Sequence, residues 1–283
     1  MNFGLPSFSP GAYLAPSVDW LNTHFHPFFD AVTKLIEAVL SAIEATLLYP
    51  PPYAMIVVAT LLAAFFVSVR VSIVTAIALA FCLLAGFWAA SMQTLALVTV
   101  AVIISVSIAF PLGIVASRYK KFEAAIRPVL DIMQTVPPWV YLIPAVMIFS
   151  LGRVPAIIAT IVYGIPPMLR LTTLAFNHVP KDLLELGQAT GASPRSILFK
   201  IEIPSATPTL IVGLNQCILL SLAMVVLAGL VGAGGLGAEV TRGLTRMEMG
   251  LGLRAGLSIV AIAILLDRLS RGALQRSRRP GTA

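Results

Sequence analysis

The residues whose types and spacing suggest work are charged ones in an apolar setting. Residues 185–206, ELGQATGASPRSILFKIEIPSA, carry Glu185, Arg195, Lys200 and Glu202, punctuated by Gly191, Pro194 and Pro204. Pro180 suits a first helical turn, where its missing N–H costs nothing. The stretch KDLLELGQAT predicts a short helix, and Gly191 supplies the left-handed conformation that ends one. Ser193 is a good N-cap and Pro194 a good first residue for a second helix, PRSILFKIEI. Pro204 is expected to stop that helix. Two short helices at an angle would expose Leu183, Leu184, Leu186, Ile197, Leu198 and Ile201 among charges. The chemistry this suits is mechanical: an amphipathic helix offered to a groove on a cytoplasmic partner. A hairpin packed on its own bundle fits the same pattern.

Other segments invite chemical readings. GAGGLG at 232–237 matches G-x-G-x-x-G literally, but it follows a membrane span and lacks the βαβ context of dinucleotide binding. A glycine turn at the outer side, built on Gly232, Gly234, Gly235 and Gly237, is the better reading. No G-x-x-x-x-G-K-[ST] occurs, so the chain does not bind ATP by a P-loop and energy has to come from elsewhere. Asp131 sits at the inner end of a span, where an acid serves transport or simply pairs with Arg127. PPWVYLIP at 137–144 reads as a proline-broken helix. Around it Gln134, Pro137, Trp139 and Tyr141 are candidate pathway residues, since aromatic faces attract quaternary ammonium groups; interfacial aromatics would look the same. Asn215 and Gln216 lie mid-span and either bridge helices or line the path. His24 and His26 form an H-x-H pair, too little for a metal site, and His178 reads as a surface or capping residue. Cys82 and Cys217 lie in apolar runs and imply no disulfide or zinc framework.

The elements that must position these residues follow from composition. Of 283 residues 58% are hydrophobic and 11% charged, where soluble domains carry roughly 25% charged residues. Runs 71–117, 132–152 and 203–238 contain no Asp, Glu, Lys or Arg. A hydrocarbon core about 30 Å thick takes about 20 apolar helical residues. The fold class is therefore all-α, a polytopic membrane helical bundle. The spacing predicts seven spans, at about 53–69, 71–89, 92–116, 128–151, 154–175, 207–231 and 251–268, with a turn at 87–93. Residues 1–27 read as irregular. Residues 28–48 read as an amphipathic helix on the membrane surface or on the bundle, with Asp30, Lys34, Glu37 and Glu44 mainly opposite its apolar side, ended by YPPPY at 49–53. No cleavable signal peptide is expected, because the first fifteen residues lack a basic n-region. Seven spans put the termini on opposite sides, and the Lys and Arg bias puts the C-terminus inside and the N-terminus outside. The net charge of +7 sits in short loops and the C-terminal tail, which argues against nucleic acid.

Glu185, Gly191 and Ile201-Glu202-Ile203-Pro204 resemble, with matching spacing, the cytoplasmic motif of ABC-importer permeases: Glu-Ala-Ala, three residues, Gly, nine residues, Ile-x-Leu-Pro. Leu186-Gly187 stands where the paired alanines belong and Ile203 where the leucine belongs, and the first departure is expected to loosen close helix packing. Segments 130–176 and 221–244 are similar to permeases of the glycine betaine, proline betaine and choline importers. Arg153 departs from the small or neutral residue expected after Leu151-Gly152. The resemblance covers about 92–271 and implies a type I ABC importer transmembrane domain. It divides the chain into a periplasmic tail with the amphipathic helix (1–52), two accessory helices (53–89), a core (90–271) with a coupling loop at 177–206, and a basic cytoplasmic tail (272–283). It implies coupling contacts at Leu183, Leu184, Glu185, Leu186, Gly187, Gly191, Ala192, Ser193, Pro194, Arg195 and Pro204. It also implies two ATPase subunits holding ATP and Mg, a periplasmic binding protein, a second permease copy and surrounding lipid, with no cofactor or metal in this chain. The implied function is a transport subunit, not an enzyme, carrying glycine betaine, choline, proline betaine or carnitine. An amino-acid permease for histidine or proline, or an ion-coupled secondary transporter, are the alternatives.

Overall fold

A computed structural model describes residues 10–277; residues 1–9 and the end of the expected basic tail, 278–283, lie outside the described residues. The described chain is helical throughout: α1 (Pro10–Leu48), α2 (Pro52–Phe66), α3 (Val69–Leu84), α4 (Trp88–Arg118), α5 (Lys120–Thr135), α6 (Leu142–Phe149), α7 (Arg153–Asn177), α8 (Lys181–Ala189), α9 (Pro194–Ile197), α10 (Ile203–Ala228), α11 (Gly235–Thr245) and α12 (Met249–Ser277). Inside a membrane only an element that satisfies its own backbone polar groups survives, and the charge-free runs obey that by coiling.

Four helical stretches are long and apolar enough to cross: 88–118, 153–177, 194–231 and 249–272. Two bent pairs raise this to six, α1 with α2 (98°) and α5 with α6 (106°). The seven uniform spans are thereby corrected. The expected span 128–151 is broken at Val136–Pro138, where two prolines remove donors and a 3₁₀ turn, Pro138–Tyr141, follows. The span at 53–69 shortens to the 15 residues of α2, and α3 has 16. The turn between α3 and α4 comes earlier than 87–93, at 85–87, where Gly86 takes φ +82°.

The N-terminal reading is also corrected. Residues 10–27 are helical, continuous with 28–48 apart from a kink at Phe25 ahead of Pro27. Glu37 and Glu44 do not face away from the packed side. Arg153, at the start of α7, donates to Glu37 (2.6 Å) and Glu44 (2.7 Å), which holds both acids against the bundle beside Ile36 and Leu40. The exposed side carries Phe28 and Leu35 instead.

The core lies where α4, α7 and α10 cross, with Leu97, Ala101, Ile157, Leu169, Cys217 and Val225 fully buried and α11 and α12 added through Leu236, Ala255 and Ile262. Small residues bring the backbones together, as membrane helix pairs require when lipid is as apolar as leucine. Gly113 is the tightest case between α4 and α7: a Cβ there would lie 2.6 Å from Thr172 Cβ and 3.0 Å from the Leu169 carbonyl oxygen. The helices run between two ends. One end gathers α1, the starts of α4 and α7 and the turn before α11; the other gathers the ends of α4 and α7 with α8 and α9.

Gly113→Val should lower the melting temperature of the detergent-solubilised protein, by overpacking of about 1–3 kcal/mol. Gly256→Ala, where a Cβ meets open space, should not.

Candidate functional site

The segment at the second end is built from local signals. Pro180 caps α8, and Asp182 lies in its first turn, where the helix dipole favours an acid. The helix closes with the Gly191 N–H on the Gln188 carbonyl and the Ala192 N–H on the Gly187 carbonyl, both 3.0 Å, with Gly191 at φ +71°. Ser193 Oγ then accepts from the Ser196 N–H (3.3 Å), and Pro194 opens α9. The glycine hinge, the Ser193 N-cap and the first short helix, α8, are as the residues dictate.

Three features differ from expectation. Gly187 does not loosen the hairpin. It is buried, and a Cβ there would lie 2.7 Å from Ile201 Cδ1 and 3.3 Å from Ile197 Cγ1, so the missing side chain lets the two helices touch. Pro204 does not stop the second helix. A π-turn at Leu198–Glu202 sends the Ile203 N–H to the Leu198 carbonyl, five residues back, and Pro204 falls in the first turn of α10. The helix thus runs on from Pro194 to Val231. Glu202 is not a solvent charge. It is 2% exposed and pairs with Arg118 at the end of α4. Burying a carboxylate is tolerable only with such a partner.

What remains exposed is an apolar strip on a charged tongue. Leu183, Leu186 and Phe199 stand out among Lys181, Asp182, Glu185, Arg195 and Lys200, whereas Leu184, Ala192, Ile197, Leu198 and Ile201 are half-buried within the hairpin. Phe199 lies outside the sequence-based expectations; its signal is its spacing, two residues from both Ile197 and Ile201 and so on the other side of the helix.

The expected pathway residues do not converge in one chain. Asp131 pairs with Arg170 of α7, not Arg127. Gln134 and Pro137 are exposed at the α5 break, and Trp139 is exposed on the 3₁₀ turn. Tyr141 donates to the Met133 carbonyl (2.8 Å) and packs by Met224 of α10. Asn215 lies nine residues from Met224, about 13 Å along the helix, and bridges helices: its Nδ2 donates to Asp267 Oδ1 (2.6 Å) and its Oδ1 accepts from Ser270 Oγ (2.7 Å). Gln216 faces outward, away from that cluster. His24 reaches back to the Trp20 carbonyl and stacks on its ring, and among the described residues no three His, Cys, Asp or Glu side chains gather as a metal site.

At the first end, the glycine turn leads from a 3₁₀ segment (Gly229–Val231) into α11, with Gly232, Gly234 and Gly235 at φ +81°, +79° and +65°. Gly237 lies against α10, where a Cβ would meet the Val225 carbonyl oxygen at 2.3 Å. Two residues of α4 grip the turn: Gln93 Oε1 accepts from the Gly235 N–H (3.1 Å) and Thr94 Oγ1 from the Leu236 N–H (2.9 Å). The Gly152 N–H donates to the Val231 carbonyl (3.0 Å). No strand precedes the turn, so it is a packing turn and not a nucleotide loop.

Residues 109–279 match the family described as binding-protein-dependent transport system inner membrane component. The chain is 41% identical to the glycine betaine/proline betaine transport system permease protein ProW of Escherichia coli (strain K12), over 95% of this chain and 76% of that one. It is 38% identical to the glycine betaine transport system permease protein OpuAB of Bacillus subtilis (strain 168), over 94% of each. At 35% it matches the glycine betaine/carnitine transport permease protein GbuB of Listeria monocytogenes, over 94% and 96%. Its fold is shared with the inward-facing MetNI methionine ABC transporter, at TM-score 0.56 and 23% identity over 68% of this chain and 94% of that one.

Arg118→Met should destabilise the protein by roughly 2–3 kcal/mol, less than a fully buried pair because Arg118 is half-exposed. Arg118→Met with Glu202→Met should recover most of that loss, read as melting temperatures in detergent.

Proposed function

The chain belongs to the binding-protein-dependent transport system inner membrane component family, and from that premise we propose that it is the permease of an ATP-driven importer for glycine betaine or a related quaternary-ammonium compound. It is a multi-pass protein of the bacterial inner membrane. It is a transport subunit that works with a separate ATPase and a substrate-binding protein. Choline, proline betaine and carnitine are the other substrates to be weighed, since relatives along nearly the whole chain are named for betaines and carnitine.

The observation that carries the mechanism is the hairpin: a polar tongue at one end of an apolar bundle, internally locked by Gly187 and Gly191, with Leu183, Leu186 and Phe199 left uncovered. The ATPase is read as gripping about residues 183–195, with Glu185 and Gly191 at the centre, and this end as cytoplasmic. ATP and Mg would be held on that partner. Movement of the hairpin passes into α10 directly and into α4 through Glu202 and Arg118, so that ATP binding and hydrolysis swing the bundle between outward- and inward-facing states. The broken helix around Gln134, Pro137, Trp139 and Tyr141 is read as pathway wall. Because these residues are scattered in one chain, the pathway is assigned to a pair of copies. The exposed apolar side chains of α2 and α3, such as Leu61, Phe66 and Ile77, are read as the lipid-facing surface. Both acids that an ion-coupled transporter would need are engaged, Asp131 by Arg170 and Asp267 by Asn215 and Arg271.

The test is uptake into proteoliposomes holding this chain, its ATPase and its binding protein, across glycine betaine, choline, proline betaine, carnitine, histidine and proline. ATP-dependent accumulation of a quaternary amine is expected, and solute concentration by this chain alone on an ion gradient would overturn the proposal. Gly191→Pro and Glu185→Lys should each leave insertion intact and cut uptake per ATP hydrolysed at least tenfold. Normal coupling in both would remove the docking role.

A further inference from the structure

The first end of the bundle holds a polar chain that the transport reading does not use. Arg153 divides its planar fork between two carboxylates of α1, Nη2 to Glu37 and Nη1 to Glu44. Glu37 and Glu44 are seven residues apart and so lie on one side of the helix. One guanidinium against two carboxylates leaves acceptor capacity over, and Glu44 Oε1 spends it on Gln93 Nε2 of α4 at 3.1 Å. The other end of the same amide, Gln93 Oε1, accepts from the Gly235 N–H at the start of α11 (3.1 Å). The amide can sit only one way round. Flipped, it would face an N–H with an NH₂ and a carboxylate with a carbonyl.

The chain therefore runs from α7 through α1 and α4 to the glycine turn, and every link is charged or uses both ends of one side chain. α1 joins the α4–α7–α10 core through Ile36 and Leu40, and the polar chain links that packed helix onward to the glycine turn. Gln93 and all of α1 lie upstream of residue 109, where the family match begins. Room at the turn is already exhausted, since a Cβ on Gly235 would lie 2.7 Å from Thr94 Oγ1. The turn can thus move only with α4, or by giving up its bonds to both Gln93 and Thr94.

We propose that α1 is a strut that sets the position of the glycine turn, with Glu44 and Gln93 as its positioning residues. This rests on the proposed function, with that turn on the outer side of an importer. Loss of the strut should loosen the turn without touching the hairpin at the other end.

Hydrogen exchange of the intact permease, reconstituted in nanodiscs with its ATPase, tests this. Glu44 does not contact the turn, yet Glu44→Ala should speed exchange of the Gly235 and Leu236 amides about fivefold or more, as for loss of a supporting hydrogen bond. Exchange across residues 181–202 should stay unchanged. Glu44→Gln, which keeps an acceptor for Gln93 but turns its amide NH₂ toward the Arg153 guanidinium, should restore only part of the protection. Gln93→Leu should match Glu44→Ala, and the double variant should add nothing, because both act on one route. In uptake the same variants should raise KM for the loaded binding protein more than they lower the maximal rate. Unchanged exchange at the turn in Gln93→Leu, or independent additive effects of the two sites, would overturn the strut. Exchange needs no transport. A wild-type complex that carries no quaternary amine therefore counts against the transport proposal alone, and normal uptake with an insensitive turn counts against the strut alone.

Discussion

A peptide group in hydrocarbon has no water to turn to, and that constraint organises the whole molecule. It makes the charge-free runs coil, and it decides where coiling can fail. Among the described residues three departures stand out: the break at Val136–Pro138, the π-turn at Leu198–Glu202 and the glycine turn before α11. Each departure lies beside residues given a part in transport. Irregular backbone is expensive in this environment, so it marks the places where something other than stability shaped the chain.

The same constraint explains the side-chain polar groups. Glu202 is buried because Arg118 comes to meet it. Asn215 is buried because Asp267 and Ser270 use both ends of its amide. Thr173 donates back to the Leu169 and Gly113 carbonyls at the α4–α7 crossing. In each case a polar group ties one helix to another. The glycines opposite such contacts let the helices approach closely enough for the ties to form.

What the residues disclose in advance follows the range of the physics. The caps of α8 and α9 depend on neighbours within five residues, so Pro180, Gly191, Ser193 and Pro194 could be read directly. The long apolar helices were legible because exclusion of charge is a property of a whole run. The pairs Arg118–Glu202, Arg153–Glu44 and Arg170–Asp131 were not legible, being 84, 109 and 39 residues apart. The helix at 10–27 was hidden by Pro16 and Pro27, which a helix accepts at a kink. The role of Pro204 escapes the sequence for a related reason. A proline lacks one donor, and a single π-turn ahead of it rearranges the carbonyls, so the residue that looks like a stop becomes part of the rod.

That continuity has a mechanical consequence. From Pro194 to Val231 the helix is continuous through the π-turn, about 57 Å at 1.5 Å per residue, and it reaches from the hairpin to the glycine turn without a chain break. Rotating such a lever by a few degrees about its midpoint, near Val212, carries its two tips in opposite directions by an ångström or two. Closing pressure applied inside the cell would then be felt as opening on the far face.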